Sequence, residues 1–235
     1  MLIDAGNSGD KDTIASYIEG LGITSLKYLI GTHPHEDHIG SIAHTVNSLD
    51  IGKIYFPKIT ANTRVFENFV EAVKNKNLSL TVPKVNSSFY LGDAKCTILA
   101  PNSSSYKSTN NYSIVIKVEY GSTSFLLTGD AEILSEEEML ANNLDVSATV
   151  LKLGHHGSKT ATSEAFLDAV NPSYAVISVG ANNKYNLPSV EVMQQLENRG
   201  IPVYRTDESG TIIAESDGKK ITFNTKAGSY GGMVK

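Results

Sequence analysis

The sequence predicts an α+β protein in which helices cover two packed sheets from outside, a four-layer αββα sandwich forming one domain over residues 1–235. Three observations carry that expectation. Helix-like and strand-like segments alternate in both halves of the chain. Between those halves lies a run of short strands separated by hairpin-turn pairs. The clearest helical segments are amphipathic, as helices must be when they cover one face of a sheet.

Taken in order, residues 2–6 read as the end of a buried strand breaking into a turn at Gly6. Asp10 or Asp12 then suits the start of a helix whose apolar face is Ile14, Tyr17, Ile18 and Leu21, with Gly20 and Gly22 as its stop. A strand at 26–31 follows, then a short helix at 41–49 and a strand at 53–56 closed by Pro57. Phe66, Phe69, Val70 and Val73 mark one face of the next helix. Residues 79–82, 88–91, 95–99, 113–120 and 123–128 are strand-like, with Gly92-Asp93 and Gly121-Ser122 where hairpin turns are needed. Residues 101–111, rich in Ser and Asn, read as a surface loop. Beyond them come a helix at 132–141, a strand at 148–153, a helix at 164–170, a strand at 174–179 and a helix at 190–198. Short strands at 203–205, 211–214 and 220–223 close the chain, with Asp217-Gly218 as a hairpin turn.

Composition narrows the function classes. At 40% hydrophobic and 19% charged the chain can bury a substantial core. No apolar run is long enough to span a bilayer. Met1-Leu2-Ile3-Asp4 carries neither the basic nor the apolar region of a signal peptide. Met1 falls inside a strand, so the start reads as truncated and leaves cytoplasmic and exported locations both open. A single cysteine, Cys96, excludes an intrachain disulfide framework and reads as a small buried strand residue. The net charge of −5 supplies no global basic field for nucleic acid.

The stretch Thr32-His33-Pro34-His35-Glu36-Asp37-His38-Ile39-Gly40 carries the chemistry. Imidazole and carboxylate are ligands that divalent transition metals take readily. Pro34 cannot donate to a ladder, so the strand before it ends here. A compact turn can aim His33 and His35 at one point while Asp37 and His38 reach a neighbouring one, an arrangement suited to two metals. Two further strand ends qualify as ligand sources. One is Phe125-Leu126-Leu127-Thr128-Gly129-Asp130, where the carboxylate can bridge two cations or cap the following helix. The other is Val150-Leu151-Lys152-Leu153-Gly154-His155-His156-Gly157-Ser158, where Gly157 lets the backbone pass close to a bound group.

In this order, Thr-His-Pro-His-Glu-Asp-His, Thr-Gly-Asp and Gly-His-His-Gly-Ser resemble the metallo-β-lactamase superfamily. Within it the pattern is most similar to the hydrolase domain of ComEC-type DNA-uptake competence proteins and their stand-alone relatives. The resemblance includes Leu2-Ile3-Asp4-Ala5-Gly6, Asn110-Asn111-Tyr112-Ser113-Ile114-Val115, Val176-Ile177-Ser178-Val179-Gly180 and Tyr204-Arg205-Thr206-Asp207. It implies the metallo-β-lactamase fold, here short of its first N-terminal strand and so with an unprotected sheet edge.

The resemblance also implies site roles. His33 and His35 hold a first metal, Asp37 and His38 a second, Asp130 bridges them, and His155 or His156 completes the second site while the other meets substrate. Asp4 orients the histidine turn from behind. Two divalent ions are implied, zinc first for the nitrogen-rich set and manganese as the alternative at the oxygen-richer first site. Asp37, Asp130 and His156 are the catalytic candidates, and Asn111, Ser158 and Tyr185 the substrate contacts. The chain departs from the wider superfamily in two places. No histidine lies between His44 and His155, the matching place holding Asn110-Asn111. Leu187 stands where relatives carry a histidine in Gly-His-Pro. The implied activity is a phosphodiesterase or nuclease acting on a small-molecule or nucleic-acid phosphodiester. The alternatives are hydrolysis of a β-lactam, thioester or phosphorylcholine ester, or a non-catalytic accessory module.

Overall fold

The computed structural model describes residues 1–232 and resolves into two compact units, each built on its own sheet. The first comprises Met1–Lys84 and Ser103–Ile114, the second Val85–Asn102 and the chain from Val115 onward.

In the first unit the elements are β1 (Leu2–Ile3), α1 (Lys11–Gly20), β2 (Ser25–Ile30), α2 (Glu36–Ile39), α3 (Ile42–Ser48), β3 (Asp50–Tyr55), α4 (Arg64–Asn75) and β4 (Leu80–Thr81). The four strands lie in the order β1-β2-β3-β4, each parallel to its neighbour, with β1 at the edge. Parallel neighbours need crossover connections, and the intervening helices supply them. Leu29, Ile30 and Ile54 of the sheet are fully buried. On α4, Phe66 and Phe69 pack their rings against Phe56 at centroid distances of 5.6 and 5.4 Å. The Thr63 hydroxyl caps that helix by accepting from the Phe66 amide.

Two helix faces differ from the sequence expectation. On α4 the buried set is Phe66, Phe69, Ala72 and Val73, and Val70 is exposed. On α1 only Ile18 is buried, while Tyr17 and Leu21 are exposed. The spacing identifies each helix correctly, but the stripe that meets the sheet is narrower than the apolar stripe in the sequence. The expected helix at 41–49 begins at Ile42 and is preceded by the separate single turn of α2.

The second unit holds β5 (Ser88–Leu91), β6 (Ala94–Ala100), β7 (Val115–Tyr120), β8 (Thr123–Leu127), α5 (Ile133–Ala141), β9 (Val150–Lys152), α6 (Glu164–Val170), β10 (Tyr174–Ile177), α7 (Val190–Asn198), β11 (Val203–Arg205), α8 (Thr206–Ser209), β12 (Ala214–Ser216) and β13 (Ile221–Phe223). Its seven-stranded sheet runs β11-β10-β9-β8-β7-β6-β5. From β5 to β8 the pairing is antiparallel, with tight hairpins from β5 to β6 and from β7 to β8 and a longer link of residues 101–114 from β6 to β7; from β8 to β11 it is parallel and the links carry α5, α6 and α7. Leu126, Leu151, Phe166, Met193 and Val203 belong to one buried cluster that joins these helices to the sheet. Ser163 and Ser189 cap α6 and α7 through their hydroxyls. The strand expected at 211–214 lies instead at Ala214–Ser216, paired with β13. The chain before it is held by Asn224, which receives the Ile213 amide and donates to the Thr211 carbonyl.

Candidate functional site

In the first unit, Ile3 of β1 stands opposite Ile30 of β2 in parallel register, so Asp4 and Thr32 leave the sheet at the same rim. Asp4 has φ +58°, a left-handed conformation that aspartate tolerates better than most residues. Its carboxylate accepts from the Thr32 amide at 2.7 Å, the Thr32 hydroxyl at 2.8 Å and Nδ1 of His38 at 2.7 Å. An ionised carboxylate can only accept, so the hydrogen sits on Nδ1 of His38 and Nε2 is its basic nitrogen. That Nε2 lies 3.7 Å from an Asp37 oxygen, on the single turn of α2.

His33 is fully buried, its Nδ1 3.1 Å from the Thr32 hydroxyl and 3.3 Å from the Ser113 hydroxyl. Its Nε2 lies 3.0 Å from Nδ1 of the exposed His35. The turn therefore joins His33 to His35 and His38 to Asp37. Gly40 seals it: a Cβ there would fall 2.3 Å from both the Asn7 carbonyl carbon and the Ser8 nitrogen. The loop after Asp4 crosses the turn at that point, and main-chain bonds from Ala5 to His38 and from Gly40 to Gly6 fasten it.

Asn110 and Asn111 belong to the same unit, at the end of the expected surface loop. Both are buried, in a tight turn over Thr109–Tyr112.

In the second unit the same device recurs. Leu127, Lys152 and Val176 are in register across the parallel neighbours β8, β9 and β10. Asp130, the His155-His156 pair and Ser178 therefore leave the sheet at its carboxyl rim, where ligands of open α/β sheets bind. Asp130 is 2% exposed. The capping residue of α5 is Glu132, so Asp130 is not the helix cap that a carboxylate in this place can be. His155 and His156 are consecutive left-handed residues, with φ/ψ of 47°/47° and 55°/27°. Such backbone costs free energy and persists only where its surroundings hold it.

His156 donates from Nδ1 to the Ser178 carbonyl at 2.7 Å, and its Nε2 is 3.6 Å from an Asp130 oxygen. Nε2 of His155 is 4.0 Å from the same oxygen, while its Nδ1 lies 2.9 Å from the Thr160 hydroxyl and 3.5 Å from Glu132. His156 thus faces Asp130 more closely than His155 does, with its tautomer set by a carbonyl that can only accept.

Ser158 is buried, with its hydroxyl 3.1 Å from that of Thr160. Tyr185 is 68% exposed, with the Lys184 ammonium 5.1 Å from its ring centroid. The loop that carries it returns to the histidines: Ser189 donates its amide to the Gly157 carbonyl at 2.9 Å. Leu187 is partly buried against the unit's core. Thr32, Ser113, Glu132, Thr160 and Ser178 touch these histidines without having been singled out from sequence. Thr32 stood inside the motif, whereas Ser178 acts through a carbonyl that leaves no side-chain signature.

The donor chemistry fits divalent transition metals. Imidazoles and carboxylates dominate both rims. His33, His38 and His156 each have their Nδ1 edge against a hydroxyl, carboxylate or carbonyl, as ligating histidines do. Cys96 is outside this chemistry: it is fully buried, and desolvation pushes its thiol pKa up to about 11.

Residues 1–181 match the family described as the metallo-beta-lactamase superfamily. The chain is 34% identical over 204 residues to ComE operon protein 3 of Bacillus subtilis, covering 87% of this chain and 26% of that protein. It is 31% identical over 217 residues to Recombination protein 2 of Haemophilus influenzae, covering 90% of this chain and 26% of that protein. The chain therefore spans about a quarter of the length of these curated relatives. Among solved structures, the metallo-beta-lactamase fold protein YhfI from Bacillus subtilis aligns with a TM-score of 0.56 at 13% identity, over 86% of this chain and 82% of that one.

Proposed function

The chain belongs to the metallo-β-lactamase superfamily and has its fold, and from that premise we propose that it is a metal-dependent phosphodiesterase, a nuclease of the ComEC-like type. In this reading His33, His35 and Asp130 hold one divalent ion, and Asp37, His38, Asp130 and His156 hold the other. Zinc suits the imidazole-rich set best, with manganese the alternative. The observation that carries the reading is the 33–38 turn, where four potential ligands lie on six residues and Asp4 fixes the tautomer of His38.

Two divalent cations supply, when bound, a hydrolytic water at neutral pH and positive charge against the negative charge that gathers on an attacked phosphoryl centre. The protein's own part is positional. Asp4 and the Ser178 carbonyl each hold one imidazole by Nδ1, leaving the Nε2 of His38 beside Asp37 and that of His156 beside Asp130. Asp37, exposed in the turn, would in this reading both hold the second ion and accept a hydrogen bond from a water there. Lys184 and Tyr185 offer a cation and a ring to a phosphate-bearing substrate.

The substrate class is supported by relatives of ComEC type, one of them named for recombination. A net charge of −5 argues that substrate is gripped at the site and not by a broad basic field. The test is elemental analysis of the purified protein, followed by assays of one preparation on a phosphodiester reporter and a β-lactam reporter. Two metals per chain with phosphodiester turnover is the expected result. Fewer than one metal and no turnover after adding zinc or manganese would overturn the enzyme reading; turnover of the lactam alone would overturn the substrate.

A further inference from the structure

We propose that Thr206 is a positioning residue for His156, acting through the main chain of residues 178–179. The proposal rests on the reading of His156 as a metal ligand only for its consequence in metal affinity; the positioning itself stands on this unit's own hydrogen bonds.

Nδ1 of His156 donates to the Ser178 carbonyl at 2.7 Å, which orients the imidazole. That carbonyl lies just beyond the last residue of β10, Ile177, where the sheet ladder no longer fixes the chain. Thr206 does the fixing. Its hydroxyl accepts from the Val179 amide at 2.7 Å and lies 2.8 Å from the Val179 carbonyl, to which it donates. A hydroxyl has one hydrogen and two acceptor lone pairs, so both bonds can stand together. The peptide linking Ser178 to Val179 contains both the carbonyl that His156 uses and the amide that Thr206 holds. It is planar, and turning one end turns the other.

Thr206 is itself clamped. It follows Arg205, the last residue of β11, which pairs in register with Ile177 of β10. The buried Arg205 guanidinium makes a two-pronged bond to Asp207, from Nε at 3.0 Å and from Nη2 at 2.7 Å. The same guanidinium donates to the carbonyls of Ser229 and Gly231. The residues on either side of Thr206 are therefore locked to each other, and the hydroxyl between them is held still. A planar fork of this kind is the property that separates arginine from lysine. This gives a chemical task to Arg205-Thr206-Asp207, a segment that holds no ligand itself.

The test compares Thr206→Val, which keeps the shape and removes the hydroxyl, with Thr206→Ser, which keeps the hydroxyl, both in the full chain. Thr206→Ala replaces the valine variant should that one not fold. Nitrogen-resolved NMR of the imidazoles reads the tautomer in metal-free protein, the His156 signal being assigned by its absence in His156→Gln. Zinc competition titration reads affinity. Wild type and Thr206→Ser are expected to show a single Nδ1–H form of His156. Thr206→Val is expected to mix tautomers and to lose about 10–100-fold in zinc affinity at one site, the size of effect that outer partners of ligating histidines have. A folded Thr206→Val with the wild-type tautomer would overturn the positioning role, as would a folded Thr206→Ser that fails like the valine variant. A wild-type chain that takes up no zinc would overturn the metal reading, and the tautomer would still decide the role of Thr206.

Discussion

The histidine turn of the first unit and the Asp130–His156 rim of the second reach similar chemistry by different means. Both sit where adjacent parallel strands end in register. In the turn, one imidazole is anchored by a side chain, the Asp4 carboxylate. At the rim, the corresponding anchor is main chain, the Ser178 carbonyl. The backbone differs in the same sense. The turn uses a single helical turn capped by the extended His35, whereas the rim needs two consecutive left-handed histidines. An anchor made by a side chain can be deleted by one substitution. An anchor made by main chain can be reached only through whatever holds that main chain.

The largest expected effect tests whether both regions serve one reaction. His35→Ala should lower hydrolysis by more than the roughly 100-fold that outer partners contribute. It should leave thermal stability nearly unchanged, because His35 is exposed. His156→Ala should match it, whereas His155→Ala, leaning towards Thr160 and Glu132, should retain more activity. Steady-state rates on the phosphodiester reporter decide this, and equal losses at 155 and 156 would erase the distinction drawn from the Asp130 distances.

Asp4→Asn comes next. An amide has one oxygen where the carboxylate uses two to receive three hydrogen bonds, and its NH₂ would face donors. Asparagine also accepts the φ of +58° at this position, so the change isolates the anchor from the backbone. Zinc affinity measured by competition should fall about 10–100-fold. Wild-type affinity would mean that Thr32 and the turn hold His38 unaided.

The contrast between anchors also explains what was legible beforehand. Side-chain chemistry writes itself into sequence: the three strand ends can be picked out by type and spacing, whereas Asp4 stands out only through the family resemblance. The helices at Glu164–Val170 and Val190–Asn198 were legible to the residue, since each starts behind a serine whose hydroxyl caps it. Illegible were the features that depend on a neighbour's main chain. Ser178 enters through its carbonyl, and the buried stripes of α1 and α4 depend on where the sheet lies beneath them. The strand expected over 174–179 ends at Ile177 for the same reason: Ser178 and Val179 are strand-like residues by type, yet they bond to His156 and Thr206.

A smaller effect probes the loop that delivers Asp4 to the turn. Gly40→Ala would set a methyl 2.3 Å from main-chain atoms of Asn7 and Ser8, which cannot swing aside as a side chain could. Overpacking of this kind costs about 1–3 kcal/mol, visible as a lowered midpoint in urea. Gly180→Ala, where a Cβ meets nothing within 4 Å, is the matched control in the other region. Zinc affinity should fall in the Gly40 variant, because its strain lies between Asp4 and His38; a purely global loss of stability would show that the loop does not transmit to the histidine.

The smallest effect separates both regions from the sheet that carries one of them. Cys96 lies fully buried in β6, paired with Val118 of β7 and Phe89 of β5. Its thiol is raised from 9.0 to about 11 because burial penalises the thiolate. A raised thiol pKa favours the folded state's neutral form, so its contribution to stability is whole below pH 9.0 and is lost as pH climbs towards about 11. Thiolate is the reactive species, so a thiol-disulfide reagent at pH 8 should leave the folded protein unlabelled and modify it stoichiometrically in urea. Cys96→Ala should cost about 1 kcal/mol or somewhat more from the vacated volume and leave phosphodiester turnover intact. Labelling of the folded chain would mean that solvent reaches the thiol in the folded state, and a loss of turnover beyond the loss of stability would mean that this strand communicates with the rim at Asp130, two strands away in the sheet order.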